Sequence, residues 1–404
     1  MPPPVASAPA RRGLFGLALA GSLGACALPI RGTAVPRGKT TAATVLGVPN
    51  ERFVLGDRAN AQALEDEFIA AATRLRATYG VAPGAVLPPL QILSVSGGGE
   101  NGAFGAGLLC GWTQHGDRPR FDLVTGISTG ALTAPFAYLG SDYDGKMKSV
   151  YTDVTLADIL VQRRFTAAIW DDGLADTSPL YKTISRLLDE EMMVAIARNY
   201  DSGRLLLVAS TNLDAQLPVI WNIGAIAKSG HPKALETVRR VLLSSASIPG
   251  AFPPVMFDVT VDGEAYQEMH VDGGAFAQAF LYPASATRGR RDLRSRGKAV
   301  APVQAYIIRN ARLDPEWAAV DRRFMGIAAR AISTMITASG FNDVLRMYNS
   351  TQRDGVGFNL AYIGSDFTEV LPAPFDQHYM RSLFEYGYVR GARGYDWAKQ
   401  PPTA

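Results

Sequence analysis

The chain has 404 residues, 47% of them hydrophobic and 19% charged, with 40 Lys or Arg against 37 Asp or Glu and only two cysteines. That apolar fraction is ordinary for a folded chain and excludes intrinsic disorder. A net charge of +3 over this length is no footprint for nucleic-acid binding. Two thiols, Cys26 and Cys110, cannot build a dense disulfide framework or a four-thiolate zinc site.

The first 26 residues read as an address. Arg11-Arg12 precedes an apolar run over residues 13–20, and small residues lead to Cys26. A basic patch, a short apolar core and small residues make a secretory signal peptide over residues 1–25, too short to span a bilayer as a mature helix. Leu23-Gly24-Ala25-Cys26 resembles the bacterial lipobox, which implies cleavage before Cys26 and lipidation of its thiol. A plain signal peptide that contains a cysteine is the alternative. Arg11-Arg12 with Leu14-Phe15 is also similar to a twin-arginine signal. Ala27 stands where the lipobox pattern has its inner-membrane retention Asp, so the resemblance implies an exported lipoprotein of the outer membrane, facing the periplasm or the cell surface.

Residues 26–58, with Pro29, Pro36 and Pro49, are expected as a lipid-anchored tether. Over residues 59–77, Leu64, Phe68, Ile69, Ala72 and Leu75 recur at helical spacing, and Pro83 and Pro88-Pro89 end the pattern. Short apolar runs then alternate with helical ones. Strands are predicted at 90–96, 121–125, 205–209, 219–221 and 303–308. Helices are predicted at 103–114, 129–139, 234–243, 323–350 and 375–398. This alternation indicates an α/β fold with a central sheet, in one domain over residues 59–400. The basic run at 288–298 reads as a solvated loop, with contact to anionic lipid headgroups as the functional alternative.

Three motifs carry chemistry. Gly126-Ile127-Ser128-Thr129-Gly130 lies between a strand and a helix, the setting of a G-x-S-x-G nucleophile elbow. Its glycines permit the sharp turn, and the helix N-terminus favours negative charge near Ser128. Upstream, Gly97-Gly98-Gly99-Glu100-Asn101-Gly102 also joins a strand to a helix and exposes backbone N–H groups. Gly97, Gly99 and Gly102 satisfy G-x-G-x-x-G, but the acidic partner that fingerprint needs, Asp122, falls at the wrong end of its strand. No Gly-Lys-Ser/Thr is present for a P-loop. An oxyanion hole for Ser128 remains, beside the alternative of a purely structural turn. The third motif is Asp272-Gly273-Gly274, an ordinary turn signal when taken alone.

In this order the three motifs resemble the patatin-like phospholipase family of Ser–Asp dyad acyl hydrolases, over residues 90–310. The segments 173–180 and 244–255 are similar to family blocks as well. The resemblance implies a three-layer α/β/α fold with a central, mostly parallel sheet. It also implies Ser128 as nucleophile, Asp272 as base and Gly97, Gly98 and Gly99 as oxyanion loop. The implied activity is hydrolysis of lipid carboxylic esters, of the phospholipase A or lysophospholipase type, with a lipid or ester substrate and the membrane as partners. No cofactor or metal is expected. Ser96 and Asn101 stand where the family often has Asp and usually has Arg or Lys, which bears on substrate preference.

Two other functions compete. A Ser–His–Asp esterase would recruit one of His115, His231, His270 and His378, the last being the latest in the chain. A non-catalytic lipoprotein on a hydrolase fold would need none of these groups. An aqueous Asp, with a pKa of about 3.9, is a poor base for a serine hydroxyl, so the dyad requires a partly desolvated carboxylate. Cys110, flanked by Leu109 and Trp112, is expected as a small buried hydrophobe. The C-terminal aromatics Phe384, Tyr386, Tyr388, Tyr395 and Trp397 are expected to pack a helix onto the core.

Overall fold

The apolar runs become central strands because both faces of the sheet are covered. The computed structural model describes residues 31–402 other than 83, 163–172 and 174. The expected signal peptide and Cys26 lie outside the described residues. The strands are β1 (Arg52–Val54), β2 (Leu90–Val95), β3 (Leu123–Ile127), β4 (Val161–Gln162), β5 (Ala175–Asp176), β6 (Leu205–Asn212), β7 (Leu217–Asn222), β8 (Val255–Val261), β9 (Glu264–Asp272), β10 (Val303–Arg309) and β11 (Gly357–Tyr362). The helices are α1 (Arg58–Thr78), α2 (Gly102–His115), α3 (Thr129–Leu139), α4 (Asp144–Thr152), α5 (Ser178–Leu187), α6 (Glu190–Asp201), α7 (Ile223–Lys228), α8 (Ala234–Ser245), α9 (Arg288–Ser295), α10 (Phe324–Asp354) and α11 (Gln377–Ala392).

Strands β6, β3, β2, β10 and β11 lie side by side in that order and all run parallel. Beyond β6 the pairing turns antiparallel, through β7 to β1, and β6 also pairs the end of β9, which pairs β8. Alternate residues face opposite sides of the sheet. Leu93, Val124, Leu206 and Val208 enter one core with α2, α3, α6, α8 and α11. Ile92, Leu123, Leu205 and Leu207 enter a second core with α1 and α10. The result is the expected mixed α/β architecture, a central mostly parallel sheet flanked by helices.

The α2–α11 contact fixes the helix that follows the glycine loop. A Cβ on Gly107 would meet the Phe384 carbonyl at 2.0 Å, and one on Gly111 would meet the Tyr388 carbonyl at 2.0 Å. The C-terminal aromatics pack on the core, but α11 ends at Ala392 and not at 398; Trp397, beyond the helix, lies against Trp112 and Tyr306, with centroids 4.9 and 5.0 Å away. Cys110 is only half-buried, with its Sγ donating to the Asp144 carbonyl at 3.7 Å. Burial pushes its thiol up to about 12, which leaves it an unreactive thiol.

Three expectations change. Residues 31–58 carry structure in place of the expected tether. Thr44 exchanges backbone bonds with Thr260 at 3.1 and 2.9 Å. Arg52 in β1 is buried and forks onto Glu268 of β9 at 2.6 and 3.2 Å while also bonding the Ala43 carbonyl. A guanidinium removed from water has to be paired, and that need draws this segment onto β9. The basic run at 288–298 is also not a free loop. It forms α9, whose Arg290 and Arg291 bond the carbonyls of Asp354 and Gly355 and the Asp354 carboxylate, so much of its charge is committed to the C-terminal end of α10. Finally, β8 and β9 form a hairpin that the predicted strands leave out. Its two-residue turn, Asp262-Gly263, has φ values of +52° and +85°, as a type I′ turn requires.

The Arg52–Glu268 pair leads to a prediction. Burial raises the Glu268 carboxyl, but bonds from His270 and Arg52 outweigh that and hold it down at about 2. A depressed carboxyl contributes stability above its unfolded pKa, and that stability is lost as pH falls through the folded value. Arg52→Met strands the buried carboxylate and should cost about 3–5 kcal/mol at pH 7, measured by urea unfolding, with the deficit shrinking toward pH 2.

Candidate active site

Strands β2 and β3 end side by side, with Val95 opposite Gly126. The two glycine motifs therefore leave the sheet together at the carboxyl ends of neighbouring parallel strands, the usual position of a site in such a sheet. Ser128 has φ +56° and ψ −128°, a conformation that costs a non-glycine residue on the order of 1–3 kcal/mol. Its surroundings enforce it. A Cβ on Gly126 would lie 2.5 Å from the Gly130 carbonyl, and one on Gly130 would lie 2.2 Å from the Val95 carbonyl. The Ser128 N–H donates to Ser245 Oγ at 3.0 Å, and Ser245 donates onward to the Ala209 carbonyl at 2.7 Å. The Ser128 carbonyl opens α3 by accepting from the Ala131 N–H at 2.8 Å.

Asp272 ends β9 opposite Ser210 of β6. It is 4% exposed, its N–H donates to the Ser247 carbonyl at 2.8 Å, and its Oδ1 accepts from the Gly274 N–H at 2.6 Å. Burial pushes its carboxyl up to about 7, against the opposing pull of the Ser128 hydroxyl and the Gly274 amide. The structure thus brings Ser128 and Asp272 together, and segment 244–255 secures both, through Ser245 on one and Ser247 on the other. Gly173 of the other segment packs on Pro253, where a Cβ would meet the backbone nitrogen at 2.7 Å.

The glycine loop is held from the far side by residues that the motifs did not reveal. Asn310, the first residue past β10, donates its N–H to Ser96 Oγ and its Nδ2 to the Ser96 carbonyl, both at 2.9 Å, and accepts from the Gly105 N–H at 3.1 Å. A Cβ on Gly98 would sit 2.1 Å from the Asn310 carbonyl. Gly97 departs from its expected role as an oxyanion donor, because its N–H is already given to the Gln278 carbonyl at 3.0 Å. Among the described residues, the N–H groups of Gly98 and Gly99 have no protein acceptor, which leaves them free to bond a ligand. Gln278 joins the two halves of the site. Its N–H donates to Asp343 of α10 at 2.6 Å, and its Nε2 donates to the Gly274 carbonyl at 2.8 Å. Buried Arg309 faces the loop as well, 3.4 Å from both Ser96 Oγ and the Gly97 carbonyl, and desolvation lowers its pKa to about 10. Asn310 and Arg309 could have been found from position alone, since the end of a strand beside β2 faces the same edge as Ser128.

A cleft opens at Ser128, with Gly99 and Glu100 at the same lining. Its walls are apolar, including Leu132, Phe136, Ile184, Leu188, Leu242 and Met380. Burial raises the Glu100 carboxyl there.

Among the described residues, no histidine is bonded to Ser128. His270 is fully buried, with Nδ1 on Ser210 Oγ at 2.8 Å and Nε2 on Glu268 at 3.0 Å. Trp221 donates to the same Ser210 hydroxyl at 2.8 Å. This cluster fixes β9 against β6 two residues before Asp272. His378 is exposed at the start of α11, and His115 pairs with Asp117.

Residues 93–284 match the family model described as patatin-like phospholipase. That stretch is a patatin-like phospholipase domain. It contains Gly97, Gly98, Gly99, Ser128, Asp272 and Gln278, whereas Arg309, Asn310 and Asp343 reach the patatin-like domain from beyond it. Among solved structures, VipD from Legionella pneumophila is similar at 12% identity, covering 75% of this chain and 66% of its own, with a TM-score of 0.33. Human GIVD cytosolic phospholipase A2 is similar at 11% identity, covering 82% of this chain and 54% of its own, with a TM-score of 0.29. The chain thus spans just under two thirds of the first and about half of the second. Comparison with curated proteins returns no match.

The Asp272 carboxyl of the patatin-like domain is raised from 3.8 to about 7 in the fold. The native state therefore binds the extra proton between those values, and stability falls as pH rises through that window. Asp272→Asn should raise the midpoint of thermal unfolding at pH 8, by a free energy on the order of a few kcal/mol. The gain should disappear below pH 4, where both side chains are neutral.

Proposed function

We propose that the chain is a serine acyl hydrolase of lipid esters, of the phospholipase A or lysophospholipase type, with Ser128 as nucleophile and Asp272 as its base. One observation carries the reading: a strained serine faces a dry carboxylate at the mouth of an apolar cleft. A neutral hydroxyl needs a base within reach, and a general base works best with a pKa near the operating pH. Burial supplies that match for Asp272 without a histidine.

The steps follow from the geometry. The acyl chain lies in the cleft and brings its ester carbonyl to Ser128. Asp272 takes the hydroxyl proton as Ser128 Oγ attacks the carbonyl carbon. The N–H groups of Gly98 and Gly99 hold the oxyanion, with the N-terminus of α2 behind them. Asp272 then passes the proton to the leaving alcohol. A water, deprotonated by the same carboxylate, releases the fatty acid and restores Ser128.

The test is a panel of phospholipid, lysophospholipid and short p-nitrophenyl esters, run on three chains. Wild type should hydrolyse the panel, with kcat/KM rising as pH passes through about 7. Ser128→Ala should lose about 10³-fold or more of kcat and all labelling by a fluorophosphonate. Leu132→Trp, which fills the cleft next to Ser128, should lose the long-chain esters and keep the short ones. Labelling that survives in Ser128→Ala would rule out the dyad.

The N-terminal address completes the proposal: cleavage after residue 25, lipidation of Cys26 and an outer-membrane location. An anchored enzyme meets its bilayer substrate at high effective concentration. Metabolic labelling with a radioactive fatty acid should mark the wild-type chain and not Cys26→Ser. Equal labelling of both would place the lipid elsewhere or nowhere.

A further inference from the structure

Strands β10 and β11 are parallel neighbours, so α10 returns the chain from the carboxyl edge of the sheet to its amino edge. The seven residues of β10 cover roughly 23 Å. The 31 residues of α10 cover roughly 46 Å. The helix is about twice as long as the sheet it crosses, and burial along it shows where the excess lies. From Gly340 onward, Asp343, Val344, Met347, Thr351 and Asp354 are buried. Every residue from 331 to 338 is exposed. Asp343 bonds Gln278 beside the glycine loop, so the packed half begins at the edge that carries Ser128. The exposed half continues past that edge.

This overhang is apolar where it meets solvent. Ile332, Met335 and Ile336, at helical i, i+3, i+4 spacing, are 54%, 70% and 39% exposed. Trp317 in the loop before the helix is 90% exposed, and Val370 in the loop after β11 is 85% exposed. Trp317, Val370 and Met335 are the three most exposed large apolar side chains among the described residues, and all three are on segments that leave or overhang the same edge. Residues 317–340 hold Arg322, Arg323 and Arg330 against Asp321 as their one acid. Ser333, Thr334 and Thr337 fall on the face of the helix opposite Ile332 and Met335. A second copy of this surface would bring the same positive charge to the contact. An anionic bilayer brings the opposite charge and an apolar interior.

We infer that residues 317–340 form an arm that docks on an anionic phospholipid bilayer, with Ile332, Met335 and Ile336 in the acyl boundary, Trp317 at the headgroup level and the arginines on the phosphates. The arm brings the mouth of the cleft to the surface that holds the substrate. The inference rests on the lipid-ester reading of Ser128. No helix among the described residues is long and apolar enough to cross a membrane, so the arm lies along the interface.

The test uses vesicles of phosphatidylcholine with phosphatidylglycerol, and of phosphatidylcholine alone, with the full chain carrying Cys26→Ser so that no acyl group at that position contributes. Co-sedimentation is measured on Ser128→Ala in this background, independently of catalysis. It should show binding to the anionic vesicles, weakened about tenfold or more by Ile332→Ser/Met335→Ser/Ile336→Ser. Arg322→Glu/Arg323→Glu should remove the preference for anionic over neutral vesicles. With Ser128 intact, the triple variant should hydrolyse a water-soluble p-nitrophenyl ester at the wild-type rate and vesicle lipid far more slowly. Vesicle binding unchanged in the triple variant would overturn the arm. So would a wild-type dimer that this variant converts to a monomer, which would assign the face to a second copy. If vesicles bind through the arm but no ester is hydrolysed, the docking surface stands and the hydrolase reading fails.

Discussion

A carboxylate kept out of water beside a serine hydroxyl sets the demands that the surrounding fold meets. Asp272 gains basicity only by losing solvent, and a buried charge is costly unless its neighbours are fixed. The Gly274 amide bonds the carboxylate from one side. The Ser247 carbonyl takes the Asp272 N–H, and the Arg52–Glu268–His270–Ser210 cluster holds β9 against β6. Ser128 is strained in turn, and Ser245 pins its amide. The site combines two locally unfavourable states, a raised carboxyl and a serine at positive φ, that the core is large enough to sustain.

The turns that bring Ser128, the glycine loop and Asp272 to one edge of the sheet were legible in the sequence because glycine motifs are local. Gly126-Ile127-Ser128-Thr129-Gly130, the glycine loop and Asp272-Gly273-Gly274 each announce a turn whose backbone few other residues could adopt. The main elements were legible because strands buried on both faces read as unbroken apolar runs. β3 begins two residues later than the run at 121–125 suggested, since Asp122 accepts from the Gln91 N–H in front of the strand. The hairpin of β8 and β9 was in principle readable: β8 alternates buried and exposed positions ahead of an Asp-Gly turn.

Other supports of the site were not legible, because they come from residues remote in sequence and ordinary in type. Nothing in Gln278 distinguishes it from any surface amide until the fold places it beside the glycine loop. The same holds for Arg52, which lay in a stretch whose proline content suggested a tether. Its burial becomes apparent only with Glu268 opposite. The reassignment of Gly97 has the same origin. The motif shows which amides a loop could offer, and only the tertiary structure shows which of them is already taken.

The distances along the chain between these partners have a consequence for how the protein comes into being. Arg52 finds Glu268 across 216 residues, and Ser96 finds Asn310 across 214. Contacts of such high order form late, after long loops have closed. Synthesis delivers Ser128 early, yet Asp343, which positions Gln278, is made only when most of the chain exists. A nascent or truncated chain therefore carries Ser128 without the dry carboxylate and without the shaped loop. A site that needs Asp272, Asn310 and Asp343 beside Ser128 cannot be complete until the last third of the chain has been made.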